Sequence, residues 1–255
     1  MDSSAAHDGR RKLEMRVMKI LVIGATGGTG RATVARLLAD GHHVTAFGRH
    51  PERLGAPSEQ LSLEVGDALN ARDVERAVAG KDAVVVTLGI SENPLRVRFF
   101  GPRHTPLDVR SAGTRQVIAA MQRLGVRRLV VLSSYGVAET RSKLQLMDRM
   151  FFDLILKPQI ADTETQYRDV AESGLDWVLV QPVHLTDADE ADAPFASTHG
   201  ETELLKVSRK SVARFLATAA VQPEYVQTSV SLSGRKPSAA EGHAAQPKAG
   251  WEAAA

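Results

Sequence analysis

The chain has 255 residues, of which 43% are hydrophobic and 24% charged, with 20 glycines and no cysteine. This composition is typical of a globular α/β domain with a sizeable core, and it excludes disulfide scaffolds, thiolate metal sites and cysteine nucleophiles. No apolar run approaches the roughly 18 residues that a membrane span needs, and the N-terminus lacks the apolar segment of a secretory signal. A cytoplasmic protein without a membrane partner is therefore expected.

The net charge of +2 is carried by the two ends of the chain. Residues 1–19 have a surplus of +2 and residues 234–255 a surplus of +1, so residues 20–233 carry −1. A nucleic-acid partner is not expected, because the body has no positive field to attract phosphates. The end segments have little apolar surface to bury, which predicts disordered tails over 1–16 and 234–255 and one domain over 17–233.

Between the tails, short apolar runs alternate with segments of helical periodicity. Strands are predicted over 19–23, 43–47, 61–65, 83–88, 128–132, 177–180 and 225–232. Helices are predicted over 29–39, 71–79, 108–124, 162–172 and 212–220. Repeated strand–helix–strand units with right-handed crossovers predict an α/β fold in which a single domain is built on a doubly wound parallel sheet.

The strongest motif is a glycine loop between the first strand and the first helix. Glycines there permit positive φ, let the backbone approach a diphosphate and bring the helix close to the strand, while the helix N-terminus offers free N–H groups. Because a strand precedes the loop and a helix follows it, the loop predicts a dinucleotide-binding site. Its residues are Gly24, Ala25, Thr26, Gly27, Gly28, Thr29 and Gly30.

The end of the second strand predicts which dinucleotide binds. Selectivity for NAD uses an Asp or Glu there to accept a hydrogen bond from the ribose 2′-hydroxyl. This chain has Arg49 instead, with Arg53 four residues later, and guanidinium groups can bind a 2′-phosphate through two contacts. The pair predicts NADP(H), with two solvated surface arginines as the alternative. Asp67, after the third strand, is placed beside the adenine or, equally, in a turn or cap.

These features together resemble the atypical short-chain dehydrogenase/reductase family with an NAD(P)H-binding domain, in particular its flavin reductase and biliverdin-IXβ reductase members. The resemblance extends over about residues 18–232 and rests on the glycine loop, Arg49, Gly66–Asp67, Leu88–Gly89, Gly113–Arg115, Ser133–Ser134 and Gln181–Leu185. It implies a Rossmann-type sheet with the nicotinamide near the ends of strands four to six. It also implies cofactor contacts from Ala68, Leu88, Gly89, Arg115, Ser133 and Pro182.

The resemblance implies reduction of flavins, tetrapyrroles, quinones or related acceptors by NADPH, and the tyrosines narrow the chemistry. Carbonyl-reducing members of the superfamily use a tyrosine as proton donor, with a lysine four residues later that lowers its pKa. None of the three tyrosines here is followed by such a lysine, which disfavours ordinary ketone reduction and nucleotide-sugar epimerisation. A planar acceptor that delocalises charge needs only oriented hydride delivery and a solvent proton.

Ser134 and His184 are the candidate catalytic residues. Ser134 could hydrogen-bond the substrate or the nicotinamide carboxamide, or it could cap a strand end. The resemblance places His184 in the nicotinamide pocket, where it could relay a proton; the alternative is a polar surface residue. The eight histidines show no metal-ligand spacing, so no metal is predicted.

Two segments near this site keep two interpretations each. The loop after Gly89 could stack on a planar, anionic acceptor and bind its charges, or it could be a solvated basic loop. Its residues of interest are Arg96, Arg98, Phe99, Phe100 and Arg103. Residues 141–158, where the chain departs from the resemblance, predict an amphipathic helix that covers the core or serves as a lid or dimer face, so a homo-oligomer is left open.

A second class of function shares the same cofactor site. An NADP(H)-binding sensor without turnover, like the NmrA-like relatives, would keep the glycine loop and Arg49 and act through a protein partner. An enzyme should leave an open pocket beside Ser134 and His184, whereas a sensor could fill it.

Overall fold

The computed structural model describes residues 16–90, 105–143, 157–189 and 192–236. Within them the strands are β1 (Lys19–Ile23), β2 (His43–Gly48), β3 (Leu61–Val65), β4 (Ala83–Val86), β5 (Arg128–Leu132), β6 (Asp176–Pro182), β7 (His184–Thr186), β8 (Phe195–Ser197), β9 (Lys206–Ser208) and β10 (Thr228–Ser233). The α-helices are α1 (Gly28–Ala39), α2 (Ala71–Val78), α3 (Val109–Leu124), α4 (Lys157–Ala171) and α5 (Arg209–Val221). Short 3₁₀ helices cover Pro51–Leu54 and Ala138–Lys143.

Eight of the strands form one sheet in the order β3-β2-β1-β4-β5-β6-β10-β8. Every pairing from β3 to β10 is parallel, and only β8 is antiparallel to its neighbour. The order of the first six strands reverses between β1 and β4, which is the switch point at which doubly wound sheets bind dinucleotides. The predicted α/β fold with a doubly wound parallel sheet is thus confirmed.

The core consists of two apolar layers, one on each face of the sheet. Alternate residues of β1 point to opposite faces, with Ile20 and Val22 in one layer and Leu21 and Ile23 in the other. Helices α1 and α5 pack together on the first face, and α2, α3 and α4 pack on the second. Because β1 and β4 are covered on both faces, their apolar sequences are continuous rather than alternating.

The sixth strand extends to Pro182 and not only to residue 180, and two other predicted strand ends are wrong for local reasons. The last strand begins at Thr228 and not at residue 225, because Tyr225 and Gln227 have positive φ values of 61° and 54° that an extended strand does not allow. The fourth strand ends at Val86 and not at residue 88. Its next residue, Thr87, still donates its backbone N–H to Ile23 O, but its side chain turns to the glycine loop.

Three short strands were not predicted from the sequence. β7 and β9 pair in parallel as a separate two-stranded sheet, and β8 extends the edge of the main sheet. Each has three residues, too few for an alternating pattern to stand out. Gly234 donates its N–H to Lys206 O, so the described chain remains in contact with the domain as far as Lys236. The rest of the predicted tail lies outside the described residues.

Among the described residues, no helix is long and apolar enough to cross a lipid bilayer. The same residues contain no cluster of three His, Cys, Asp or Glu side chains arranged to bind a metal ion. Residues 91–104 and 144–156 lie outside the described ranges. The predictions for the basic aromatic loop, and for most of the amphipathic segment over 141–158, therefore stay predictions.

Candidate dinucleotide-binding site

The glycine loop makes a sharp bend directly after β1. Gly24 has φ +80°, and a Cβ at this position would lie 2.8 Å from the carbonyl oxygen of Thr87. The backbone N–H groups of Gly24 and Ala25 both donate to Phe47 O at the end of β2, at 3.2 and 3.4 Å. The bend therefore requires glycine at position 24 and is fixed by the strands on either side of β1.

Thr87 ties the bend to β4. Its Oγ1 lies 2.9 Å from Ile23 O and 3.2 Å from Gly24 O. A Cβ on Gly30 would lie 2.7 Å from this oxygen and 2.3 Å from Gly24 O. The close approach of α1 to the strands thus depends on the lack of a side chain at position 30. Thr87 has no sequence signal of its own, because it lies within the nearly continuous apolar run over 83–88.

The N-terminus of α1 has no side-chain cap. Its first residue follows Gly27, which supplies no capping side chain, and the first turn contains no acidic residue. Other helices of the domain are capped: Asn70 accepts from two N–H groups of α2, Ser208 accepts from Ser211 N, and the Asp162 carboxylate accepts from two N–H groups of α3. The free first-turn N–H groups of α1 point out of the helix and make an anion site together with its dipole.

Arg49 and Arg53 lie at the carboxyl end of β2, as the strand prediction requires. Both side chains are exposed. Arg49 Nη2 lies 3.4 Å from Thr105 Oγ1, and Arg53 belongs to the 3₁₀ helix over Pro51–Leu54. The nearby carboxylate of Glu52 contacts His50 Nδ1 at 3.2 Å. The edge of the site next to β2 therefore presents two guanidinium groups to solvent.

Asp67 and Ala68 follow β3, and their side chains have different surroundings. The Asp67 carboxylate accepts a hydrogen bond from Leu69 N at 3.0 Å, which is the turn role named as its alternative. Ala68 is buried. A Cβ on Gly113 would lie 2.5 Å from Leu88 Cδ1 and 3.4 Å from Ala68 Cβ. Glycine at position 113 thus lets Leu88 and Ala68 pack together on α3.

The carboxyl ends of β5 and β6 bring the two serines close to Pro182. Ser133 is buried, and its Oγ has no hydrogen-bond partner within the described chain. Ser134 Oγ lies 3.3 Å from Tyr135 O, and Pro182 O accepts from Tyr135 N. Because a buried hydroxyl without a partner is rare in folded proteins, the Ser133 oxygen is available to a ligand at this edge.

His184 and Arg115 are placed less directly. His184 is exposed at the start of β7, two residues beyond Pro182. Arg115 Nη1 lies 3.5 Å from Asp169 Oδ2, so its guanidinium is engaged in an ion pair between α3 and α4. Burial raises the pKa of the Asp169 carboxyl and Arg115 opposes that rise. Their predicted roles in proton relay and cofactor binding stay predictions.

Arg110 also lies at this edge of the sheet, and nothing in the sequence distinguishes it from the other arginines. Its guanidinium lies against Gly89, where a Cβ would be 3.0 Å from Nη2 and 3.3 Å from Cζ. Asp162 accepts from the backbone N–H of Arg110 at 3.0 Å and from that of Ser111 at 3.0 Å. Burial lowers the pKa of Arg110, with the Asp162 charge opposing the effect. A partly buried cation therefore stands at the carboxyl end of β4.

The three tyrosines, all in described segments, each contact other residues of the domain. Tyr135 donates its hydroxyl proton to Gly200 O at 3.1 Å, and burial raises its pKa. Burial, together with the charge of Glu139, raises the pKa of Tyr167. Tyr225 packs its ring on Phe215 with centroids 5.4 Å apart. The pKa shifts of Tyr135 and Tyr167 are thus upward, opposite to the shift of an activated proton donor.

The fold and the open glycine loop define a Rossmann-type dinucleotide-binding protein, and comparison with known proteins gives its family. The sequence model of the NAD(P)H-binding family matches residues 24–223. The chain belongs to this NAD(P)H-binding family, which confirms the predicted nicotinamide dinucleotide as its class of cofactor.

Three known proteins illustrate the similarity. A 3-beta-hydroxysteroid dehydrogenase of Mycolicibacterium neoaurum is 35% identical over 127 residues, which are 47% of this chain and 32% of that protein. A wide-type short-chain dehydrogenase/reductase of Veillonella parvula, solved in complex with NADP, superposes with a TM-score of 0.70 at 19% identity, covering 88% of this chain and 100% of its own. The anaerobillin reductase ChuY of Escherichia coli O157:H7 gives a TM-score of 0.66 at 21% identity, covering 86% and 100%. The two structures show the shared fold.

Proposed function

We propose that this protein is an NADPH-dependent oxidoreductase that transfers hydride to a flavin, quinone or tetrapyrrole-like acceptor. The observation that carries the proposal is the open N-terminus of α1 behind a glycine bend that Thr87 fixes to the sheet. Family membership gives a nicotinamide dinucleotide as the class of ligand, and we place it at this position. The structural similarity to an anaerobillin reductase and the sequence similarity to a dehydrogenase agree with redox chemistry.

The preference for NADPH over NADH rests on the edge of the site next to β2. In this proposal the exposed guanidinium groups of Arg49 and Arg53 bind the ribose 2′-phosphate, because they follow β2, the strand whose end contacts the ribose in doubly wound folds. Among the described residues there, Glu52 is the nearest acid in sequence, and its carboxylate is turned to His50. A guanidinium binds phosphate oxygens in two-point contacts, whereas an acid in its place would repel them.

The acceptor class is proposed from the tyrosines of the described residues. Reduction of an isolated ketone creates an alkoxide that needs an acid, and burial raises the pKa values of Tyr135 and Tyr167, which makes them poor donors. A flavin, quinone or tetrapyrrole spreads the two electrons of the hydride over a conjugated system, so solvent can deliver the proton. In this proposal Ser133 and Ser134 orient the nicotinamide and acceptor, while His184 lies at the rim.

Arg110 supports an acceptor that carries negative charge. Its guanidinium lies over Gly89, at the sheet edge where the fourth strand meets the ligand crevice. Its known carboxylate neighbour, Asp162, is engaged by two backbone N–H groups of α3. A phosphate or carboxylate of the acceptor would therefore find an oriented cation close to the nicotinamide.

The proposal is tested by mixing the protein with NADPH and a panel of FMN, FAD, quinones and biliverdins in a stopped-flow instrument. The expected result is protein-dependent loss of nicotinamide absorbance with at least one member of the panel, matched by reduction of that acceptor. Tight NADPH binding with no oxidation by any member would contradict the proposal and favour a sensor. Ser133→Ala is the matched variant, because it removes only the unpartnered hydroxyl.

A further inference from the structure

A further arginine, Arg209, lies directly over the glycine loop at Gly28. It is the first residue of α5, and its side chain crosses the start of α1. A Cβ on Gly28 would lie 2.9 Å from Arg209 Cδ and 2.9 Å from Nε. Arg209 thus occupies the space that a side chain at position 28 would fill, next to the open N–H groups of α1.

The position of Arg209 is set by the small β7–β9 sheet. In that sheet Thr186 pairs with Ser208. The residues that come next on the two parallel strands are Asp187 and Arg209, which therefore lie side by side. Arg209 Nη1 lies 2.5 Å from Asp187 Oδ1. The two side chains differ strongly in exposure, at 29% for Arg209 and 88% for Asp187. The Arg209 side chain is thus partly buried, whereas the Asp187 carboxylate that contacts it is exposed to solvent.

The charge at this place fits a diphosphate. A helix N-terminus supplies only about half a positive charge, and a diphosphate bridge carries about two negative charges. The first turn of α1 contains no basic residue other than Arg31 at its end and no acid. Ser208 caps α5 at its own N-terminus, through the N–H of Ser211. The Arg209 side chain is therefore not needed to cap its helix.

We propose that Arg209 is a diphosphate-binding residue that closes over the dinucleotide from the α5 side, with Asp187 holding its guanidinium in place when no cofactor is bound. The inference rests on the proposed function, because it requires that a dinucleotide lies on the glycine loop. It assigns to the last helix of the domain a direct role in cofactor affinity. Because NADPH and NADH share the diphosphate, Arg209 should bind both alike, in contrast to Arg49.

The test compares dissociation constants of NADPH and NADH for the full-length wild type and four variants. Arg209→Ala is expected to weaken both cofactors by a similar factor, about tenfold or more, as loss of a charge-assisted contact predicts. Arg49→Ala should weaken NADPH alone. Lys210→Ala is the matched control, because Lys210 is the next residue of the same helix and pairs with Asp189 instead; it should leave both constants unchanged. Thermal unfolding without cofactor checks that each variant folds. If Arg209→Ala does not fold, Arg209→Lys takes its place.

Asp187→Ala separates a ligand contact from a structural ion pair. If Arg209 binds the diphosphate, removal of its competing carboxylate should leave the affinities equal to those of the wild type or tighter. Equal losses from Asp187→Ala and Arg209→Ala, or unchanged constants in Arg209→Ala, would overturn the assignment while leaving the proposed function intact. A wild type that binds neither cofactor would overturn both.

Discussion

The carbonyl oxygen of Gly24 lies 2.3 Å from the point that a Cβ on Gly30 would occupy. No side chain can be accommodated there unless the bend or α1 moves, because the next nearest atoms belong to Thr87 Oγ1 and the backbone of Ala25. This close approach packs α1 on the sheet. It also directs the N-terminus of α1 toward the ligand crevice.

Gly30→Ala is therefore expected to damage both stability and binding. The added methyl group meets backbone that cannot move away, and such overpacking costs about 1–3 kcal/mol of unfolding free energy. Cofactor affinity should fall as well, because α1 is displaced from the bend. Urea denaturation and fluorescence titration with NADPH measure the two effects. Gly48→Ala is the stability control, since a Cβ there would meet nothing within 4 Å; equal stability of the two variants would contradict the packing argument.

Tyr135→Phe should change stability but not chemistry. The Tyr135 hydroxyl donates to Gly200 O, so its removal costs about 1 kcal/mol of unfolding free energy. Because the hydroxyl proton is used in that bond, we do not expect it to protonate a substrate. The single-turnover rate of NADPH oxidation should stay close to that of the wild type. Loss of a general acid would instead slow the reaction by about 10²-fold or more, and a decrease of that size in stopped-flow traces would show that Tyr135 is the proton donor.

Arg110→Met tests the charge of the acceptor. The substitution keeps the length and apolar character of the side chain but removes the cation next to Gly89. We expect the KM for FMN to rise by about tenfold, the usual effect of losing a charged hydrogen bond, while the KM for an uncharged quinone stays the same. Arg123→Ala, at the far end of α3 and paired with Glu75, serves as control. Equal effects of Arg110→Met on both acceptors would exclude recognition of charge.

His42 should make the domain less stable in mild acid. Its Nδ1 accepts the backbone N–H of Met18 at 3.3 Å, which requires an unprotonated nitrogen, and burial lowers its pKa below the ordinary 6.5. The unfolded chain therefore binds a proton more readily than the folded one, so unfolding free energy is lost as the pH falls below about 6.5. Urea denaturation at several pH values should show a smaller loss in His42→Gln than in the wild type. His43→Gln, at the exposed neighbour, should retain the full loss.

The parts of the molecule that could be predicted from sequence are those coded locally. The bend from Gly24 to Gly30, the apolar runs of β1 and β4 and the basic tip after β2 each depend on a few adjacent residues. Right-handed crossovers predicted a doubly wound parallel sheet, and the order of its strands was implied by the family resemblance. These local signals were enough to predict the fold and the class of cofactor.

The parts that could not be predicted depend on contacts between distant segments. Arg209 reaches Gly28 because α5 packs on α1 and begins directly after β9, and a three-residue strand such as β9 has no readable pattern. Arg110 has no sequence signal that sets it apart from the other arginines. Its position against Gly89 is set by the fold. Asp162 had no sequence signal as a cap, because it belongs to a different helix from the one whose N–H groups it binds.

A titration of the wild type and Arg49→Ala with both cofactors measures whether the glycine loop and Arg49 bind NADPH in preference to NADH. The wild type should bind NADPH more tightly by at least about tenfold, as expected for a phosphate contact. Arg49→Ala should lose most of that preference with little change toward NADH. A wild type that binds NADH more tightly than NADPH, or that binds neither, would contradict the account.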